Sequence, residues 1–306
     1  MVGNPSDPAT FSLYQWQVNE YLNSSGQQYI EDLPASWNMG LQTGFEPSGT
    51  PLSNYQMTMN PNATSTSPST GAQVQGGTIG IYLNSADMLV PGENCNKNDP
   101  TDCKVGILPG VRVFPKDTFA PPFSSSTTIL TVSLDLKVPT ASTNKVSPCS
   151  SQSYIGLDIL FNDPKTGLNV TFDGSAFSSG DAKSGGETIH IDPATQNIVV
   201  SSPVGQNGNL YSTPVPNTGV WTNATWNNAY VPYAFAISYA NFGAAIQNII
   251  TQNITIGSVQ TGQMSSNPSV YTLVGVHING ELGQATAACL ATLGYSEQNF
   301  QISVSN

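Results

Sequence analysis

Along the clearest segments of the chain, apolar residues alternate with polar ones. This is the spacing of a β-strand, whose side chains point to opposite faces in turn. In Thr128–Val138, Leu130, Val132, Leu134, Leu136 and Val138 share one face, and Thr131, Ser133, Asp135 and Lys137 share the other. Tyr154–Asn162 repeats the pattern, with Ile155, Leu157, Ile159 and Phe161 inward and Tyr154, Gly156, Asp158 and Leu160 outward. Leu168–Phe172, Glu187–Asp192 and Asn197–Val200 are predicted strands, the last two joined through Pro193-Ala194-Thr195-Gln196. The centre therefore reads as an antiparallel meander with one buried face. Phe11–Val18, Tyr55–Met59, Ile79–Leu83, Tyr271–Leu282 and Asn299–Val304 are further predicted strands.

Two segments break the alternation. After Tyr233, Phe235, Ile237 and Tyr239 the spacing lengthens to Phe242, Ala245, Ile246, Ile249 and Ile250, so a strand runs into a short helix whose start Gly243 weakens. Ala285–Leu293 reads as one or two helical turns. Residues 46–75 are nearly all Pro, Ser, Thr, Asn and Gly, a long surface segment with one strand-like piece. The expected fold is all-β, an antiparallel β-sandwich with one or two short helices, in a single domain spanning residues 1–306.

Composition narrows the partners. Only 9% of the 306 residues are charged, against about 25% in typical soluble domains, and uncharged polar residues take their place. The net charge is −11, with eight basic residues. Nucleic acid needs a cationic footprint that this chain lacks. Anionic membranes are excluded on the same ground, and no apolar run reaches the roughly 18 residues of a membrane span. A neutral ligand fits best. The four cysteines, Cys95, Cys103, Cys149 and Cys289, have no zinc-ligand spacing. Cys95 and Cys103 flank a polar loop, Asn96–Asp102, and are expected to form a local disulfide, leaving Cys149 and Cys289 to pair across the fold or remain buried thiols. Disulfides would mean an oxidising compartment, hence a secreted or cell-surface protein. Met1-Val2-Gly3-Asn4-Pro5 reads as the start of a mature chain whose leader has been removed. Loop 96–102 is rich enough in oxygen for calcium, but its spacing is not that of an EF-hand and Lys97 competes. No cofactor and no metal is expected.

The densest candidate chemistry lies in Val274–Leu282. His277, Asn279 and Glu281 fall at alternate positions between Val274, Val276 and Ile278, and so line one face as a polar row suited to an uncharged, hydroxyl-rich ligand. Glu281 lies about 13 Å from His277 by strand rise, too far for a direct acid–base pair. Hydrolysis of a glycoside needs two carboxylates roughly 5 to 9.5 Å apart. Asp135, Asp158, Glu187 and Glu281 are the strand-borne catalytic candidates, and Asp135 and Asp158 would approach each other if their strands were neighbours. His190, Asp192, His277 and Glu281 could assemble a metal site, though no local spacing supports one. No Gly-x-Ser-x-Gly elbow is present for a serine hydrolase. Trp221 and Trp226, with Tyr230 behind them, are candidate stacking platforms for sugar rings.

Trp221–Ile250, the strand around Glu281, and the closing Asn299-Phe300-x-Ile302-x-Val304 together resemble the ending of secreted jelly-roll proteins: concanavalin-A-like lectins, glucanases, polysaccharide lyases and carbohydrate-binding modules. The resemblance covers the C-terminal third. It implies glycan contact on a concave face and a last strand that returns to the centre of the sandwich. It transfers no catalytic residue, because the Glu-x-Asp-x-x-Glu pattern of one large glucanase family and the basic motif of alginate-type lyases are absent. The function expected is recognition of a neutral polysaccharide or glycan by a secreted jelly roll, with hydrolase or lyase activity as one alternative. The other is an extracellular coat, fibre or matrix subunit that self-assembles through strand edges.

Overall fold

The computed structural model describes residues 15–22, 27–31, 55–58, 71–75, 78–84, 103–110, 121–142, 152–178, 188–191, 196–202, 213–214, 229–283 and 291–305. Two sheets carry the chain. The first has eight strands in the order β10 (Thr188–Ile191), β11 (Ile198–Ser202), β9 (Asn169–Ser178), β8 (Gln152–Asn162), β16 (Thr272–Gly283), β6 (Cys103–Gly110), β1 (Gln15–Leu22) and β2 (Gln27–Glu31). The second has seven, in the order β12 (Thr213–Pro214), β13 (Val231–Ser238), β7 (Ile129–Ser142), β17 (Thr292–Ser305), β5 (Thr78–Asn84), β4 (Gly71–Gln75) and β3 (Tyr55–Thr58). A small hairpin, β14 (Thr255–Ile256) and β15 (Val259–Gln260), stands apart from both.

The apolar alternation sets which face of each sheet turns inward. Leu130, Val132, Leu134, Leu136 and Val138 of β7 are buried, as are Ile155, Leu157, Ile159 and Phe161 of β8 and Val276 and Ile278 of β16, all in one hydrophobic cluster. The sheets meet closely. A Cβ at Gly174 of β9 would come within 2.7 Å of the Phe235 ring of β13, so this position has room for hydrogen only. The fold is the all-β antiparallel sandwich that the alternation predicts.

Several elements depart from expectation. Strand β11 runs parallel to β9, because the β10–β11 hairpin folds back so that its second strand lies inside and its first at the sheet edge. Strand β9 continues to Ser178 instead of stopping at Phe172. Strand β17 already begins at Thr292, within the segment expected to be a helical turn, and residues 285–290 of that segment lie outside the described residues. Strands β3 and β4 both fall within residues 46–75. The last strand does run centrally, between β7 and β5.

Helix α1 (Tyr239–Gln252) grows directly out of β13 and is longer than the short helix expected. Ser238 caps it by accepting from the Asn241 N–H at 3.1 Å, and Asn253 ends it in a left-handed conformation at φ 48°. Its buried stripe is Phe242, Ala245, Ile246 and Ile249. Phe242 ties the helix to the first sheet, with ring centroids 4.7 Å from Phe161 and 5.3 Å from Phe172, and also 4.7 Å from Phe123 and 5.1 Å from Tyr271. The polar groups drawn into this end are satisfied. The Thr261 hydroxyl donates to Ile249 O and accepts from Ile254 N, both at 2.9 Å. Asp163 accepts from Thr166 Oγ1 at 2.6 Å and, more weakly, from Lys165 N at 3.3 Å and Ser265 N at 3.4 Å, which joins the β8–β9 turn to the loop before β16. Replacing the ring at the hub, Phe242→Ala, is expected to cost about 3–5 kcal/mol, read as a lower urea midpoint at unchanged slope. A loss below about 1 kcal/mol would show that the helix does not depend on this cluster.

Candidate functional site

The outward face of the first sheet carries the densest polar chemistry among the described residues. Because residues in register on neighbouring strands sit side by side, one line crosses five strands: Thr188, Ser201, Asp173, Asp158 and His277, on β10, β11, β9, β8 and β16. Asp158 and Asp173 are direct cross-strand partners, which sets their Cβ atoms about 5 Å apart. The next line holds Ser175, Gly156 and position 279, and the one beyond it Ser178, Tyr154 and position 281. A bulge at Ala176 keeps Ser175 outward and returns Phe177 to the core.

Hydrogen bonds converge on Asp173. The Tyr154 hydroxyl donates to its Oδ1 at 2.5 Å, the Ser201 hydroxyl to its Oδ2 at 3.1 Å, and the Ser175 hydroxyl in turn donates to Tyr154 Oη at 3.0 Å. Gly156 is the floor over which the tyrosine reaches. A Cβ there would stand 2.8 Å from Tyr154 Cε1 and 2.9 Å from Asp173 Oδ1. Burial pushes the Asp173 carboxyl above the usual carboxylate range, against the lowering pull of the Tyr154 and Ser201 hydroxyls, His190 and a hydrogen bond with Asp158. Burial first, then the neighbouring Asp173 charge, pushes the Tyr154 phenol up, so it stays a neutral donor at physiological pH. Two carboxyls in hydrogen-bond contact resist ionising together. The arrangement therefore holds a proton more tightly than a free carboxyl does and offers acceptors and hydroxyls to a ligand in one place.

The structure brings some sequence candidates together and separates others. Positions 277, 279 and 281 stand in register with Asp158, Gly156 and Tyr154. Asp135 is not part of this group. It lies on β7 of the other sheet, on the face away from the interior, and accepts from Asn299 Nδ2 at 2.6 Å. The Asp135–Asp158 pair does not form, because their strands belong to different sheets with opposite outward faces. Tyr230 likewise sits with β7, its ring 5.6 Å from Lys137 Nζ. His190 is four strands from position 277, roughly 19 Å at ordinary strand spacing, so a metal ion shared by the two histidines is ruled out. No group of three His, Cys, Asp or Glu side chains among the described residues could hold a metal ion. Trp221, Trp226, Glu187, Asp192, Cys95, Cys149 and Cys289 lie outside the described residues, as does loop 96–102, and Cys103 opens β6. The sequence reading missed Asp173, Ser175 and Ser201. The alternation Val170, Phe172 inward against Thr171, Asp173 outward carries the signal for the first.

No family model and no curated protein matches the chain. Among solved structures, a mutated, meso-active Cel12A cellulase of Rhodothermus marinus aligns over 83% of this chain and 100% of its own, with 12% identity and a TM-score of 0.34. The family 11 xylanase of Neocallimastix patriciarum aligns over the same shares, with 11% identity and a TM-score of 0.30. Overlaps of this quality assign no activity. Among the described residues, no helix is long and apolar enough to cross a membrane.

The hydrogen bonds give a direct test of the site. Tyr154→Phe removes a donor to the ionised Asp173, so the Asp173 titration should move to higher pH, with a smaller move for Ser201→Ala. Carboxyl NMR titration of the three proteins measures this. An unchanged or lowered Asp173 midpoint in Tyr154→Phe would contradict the geometry.

Proposed function

We propose that the protein recognises a neutral glycan on the outward face of the eight-stranded sheet. The observation that carries this reading is the Asp158–Asp173 pair, set side by side on neighbouring strands and ringed by the hydroxyls of Tyr154, Ser175 and Ser201. Carboxylate oxygens accept from sugar hydroxyls, and serine and tyrosine hydroxyls both give and accept, so adjacent hydroxyls of one ring find matched partners. On this reading His277, Asn279 and Glu281, whose positions on β16 are in register with Asp158, Gly156 and Tyr154, would extend the surface along that strand to more than one sugar unit. The net charge of −11 repels anionic polymers and leaves neutral ones. An extracellular setting goes with this reading, on the composition of the chain.

Hydrolysis is the second reading, and the raised Asp173 carboxyl beside a second carboxyl favours it. A carboxyl that holds its proton more tightly than usual is what a general acid needs. Against it stands the contact between the two carboxyls, closer than the roughly 5 Å that the hydrolytic geometries require.

Native electrophoresis through gels cast with neutral and acidic polysaccharides separates these outcomes. Retardation by at least one neutral polymer is expected, weakened about tenfold or more in Asp173→Asn and in Asp158→Asn. Clearing of the gel that is lost in both variants would establish hydrolysis. Free migration in every neutral gel would overturn glycan recognition.

A further inference from the structure

One carboxyl lies far from this surface. Glu297 of β17 is 2% exposed and points into the sandwich, in register with Leu136 of β7 and position 79 of β5. Its Oε2 has no hydrogen-bond partner among the described residues, and neither has Tyr295 Oη, two residues back on the same face. Tyr295 and Leu83 of β5 both lie against Gly280 of β16. The interior residues of the neighbouring strands are Leu134, Leu136 and Val138 on β7, Ile155 and Leu157 on β8, and Val276, Ile278 and Gly280 on β16. None of these carries a charge, and Tyr295 is the titratable group that faces Glu297 among the described residues. A bare carboxylate in such surroundings costs several kcal/mol, and protonation removes most of that cost.

We infer that Glu297 is a proton-operated lock: the acid form seals the interface between the two sheets, and loss of its proton loosens β17 from its neighbours. Burial pushes the Glu297 carboxyl up to about 8 from its ordinary 4.5. The sign follows directly. The folded chain holds this proton where the unfolded chain has lost it, so the stabilisation is complete below about pH 4.5 and falls as pH rises towards about 8. In that window the unfolding constant should rise about tenfold per pH unit from this one proton. The device suits a fold that works in acidic surroundings, where the chain's many other carboxylates also repel one another less. It does not depend on the glycan reading.

The test is urea unfolding of the full chain and of Glu297→Gln between about pH 4 and 9. The amide keeps the shape without the titration. The expected result is a variant whose stability relative to the parent climbs by roughly three decades in the unfolding constant from about pH 4.5 to 8. Parallel pH profiles would overturn the lock. Should the variant fail to fold, infrared difference titration of an Asp158→Asn/Asp173→Asn protein decides the matter. A carboxylic-acid band that persists at neutral pH, and disappears together with faster amide exchange in β17, supports the lock. A protein with no acid band at neutral pH refutes it.

Discussion

Close packing of the two sheets is the constraint on which the rest of the structure depends. Phe235 presses on the backbone at Gly174, and Tyr295 presses on Gly280, so neither sheet can slide or flip without a clash. A strand in this position has no freedom in which residues it turns outward. Once Phe172 is committed to the interior, Asp173 must appear outside, and once Leu157 is inside, Asp158 must stand beside it. The polar site is the reverse side of the core pattern, and a one-residue slip of either strand would bury the carboxylates and expose the apolar residues.

The fold was legible where alternation was long and unbroken. Strands β7 and β8 and the inward stripe of α1 follow from their sequences alone, because a run of apolar residues at fixed spacing leaves one solution. The site was half legible. Asp158 and the 277–281 row lie on strands with clear patterns, but Asp173 is followed by Gly174, and an Asp-Gly pair reads as a turn. The glycine is there for Phe235, a contact with a strand of the other sheet that no local pattern contains. Ser201 was hidden for a similar reason. It reaches Asp173 through a parallel pairing of β11 with β9, and strand order is a property of the whole sheet. Asp135 shows the opposite error: its strand was read correctly, and its sheet could not be.

The two unusual carboxyls share a physical cause. Burial pushes both Asp173 and Glu297 up. The surroundings differ. Asp173 is held among hydroxyls that stabilise its charged form and remains partly open to solvent, so its charge state can answer to a ligand. Glu297 is buried, and the described residues around it are apolar apart from the Tyr295 hydroxyl. The same side-chain chemistry thus serves contact with the outside on one sheet and closure of the interior on the other.

Strand β17 fills the gap between β7 and β5, and the side-chain bond from Asn299 to Asp135 of β7 spans 164 positions. During synthesis on the ribosome, β7 and β5 therefore wait with open edges until residues 292–305 emerge. Pairing at such separation is slow, and open edges invite other chains. The order in which the polypeptide is made sets a period of exposure, and the last strand inserted ends it.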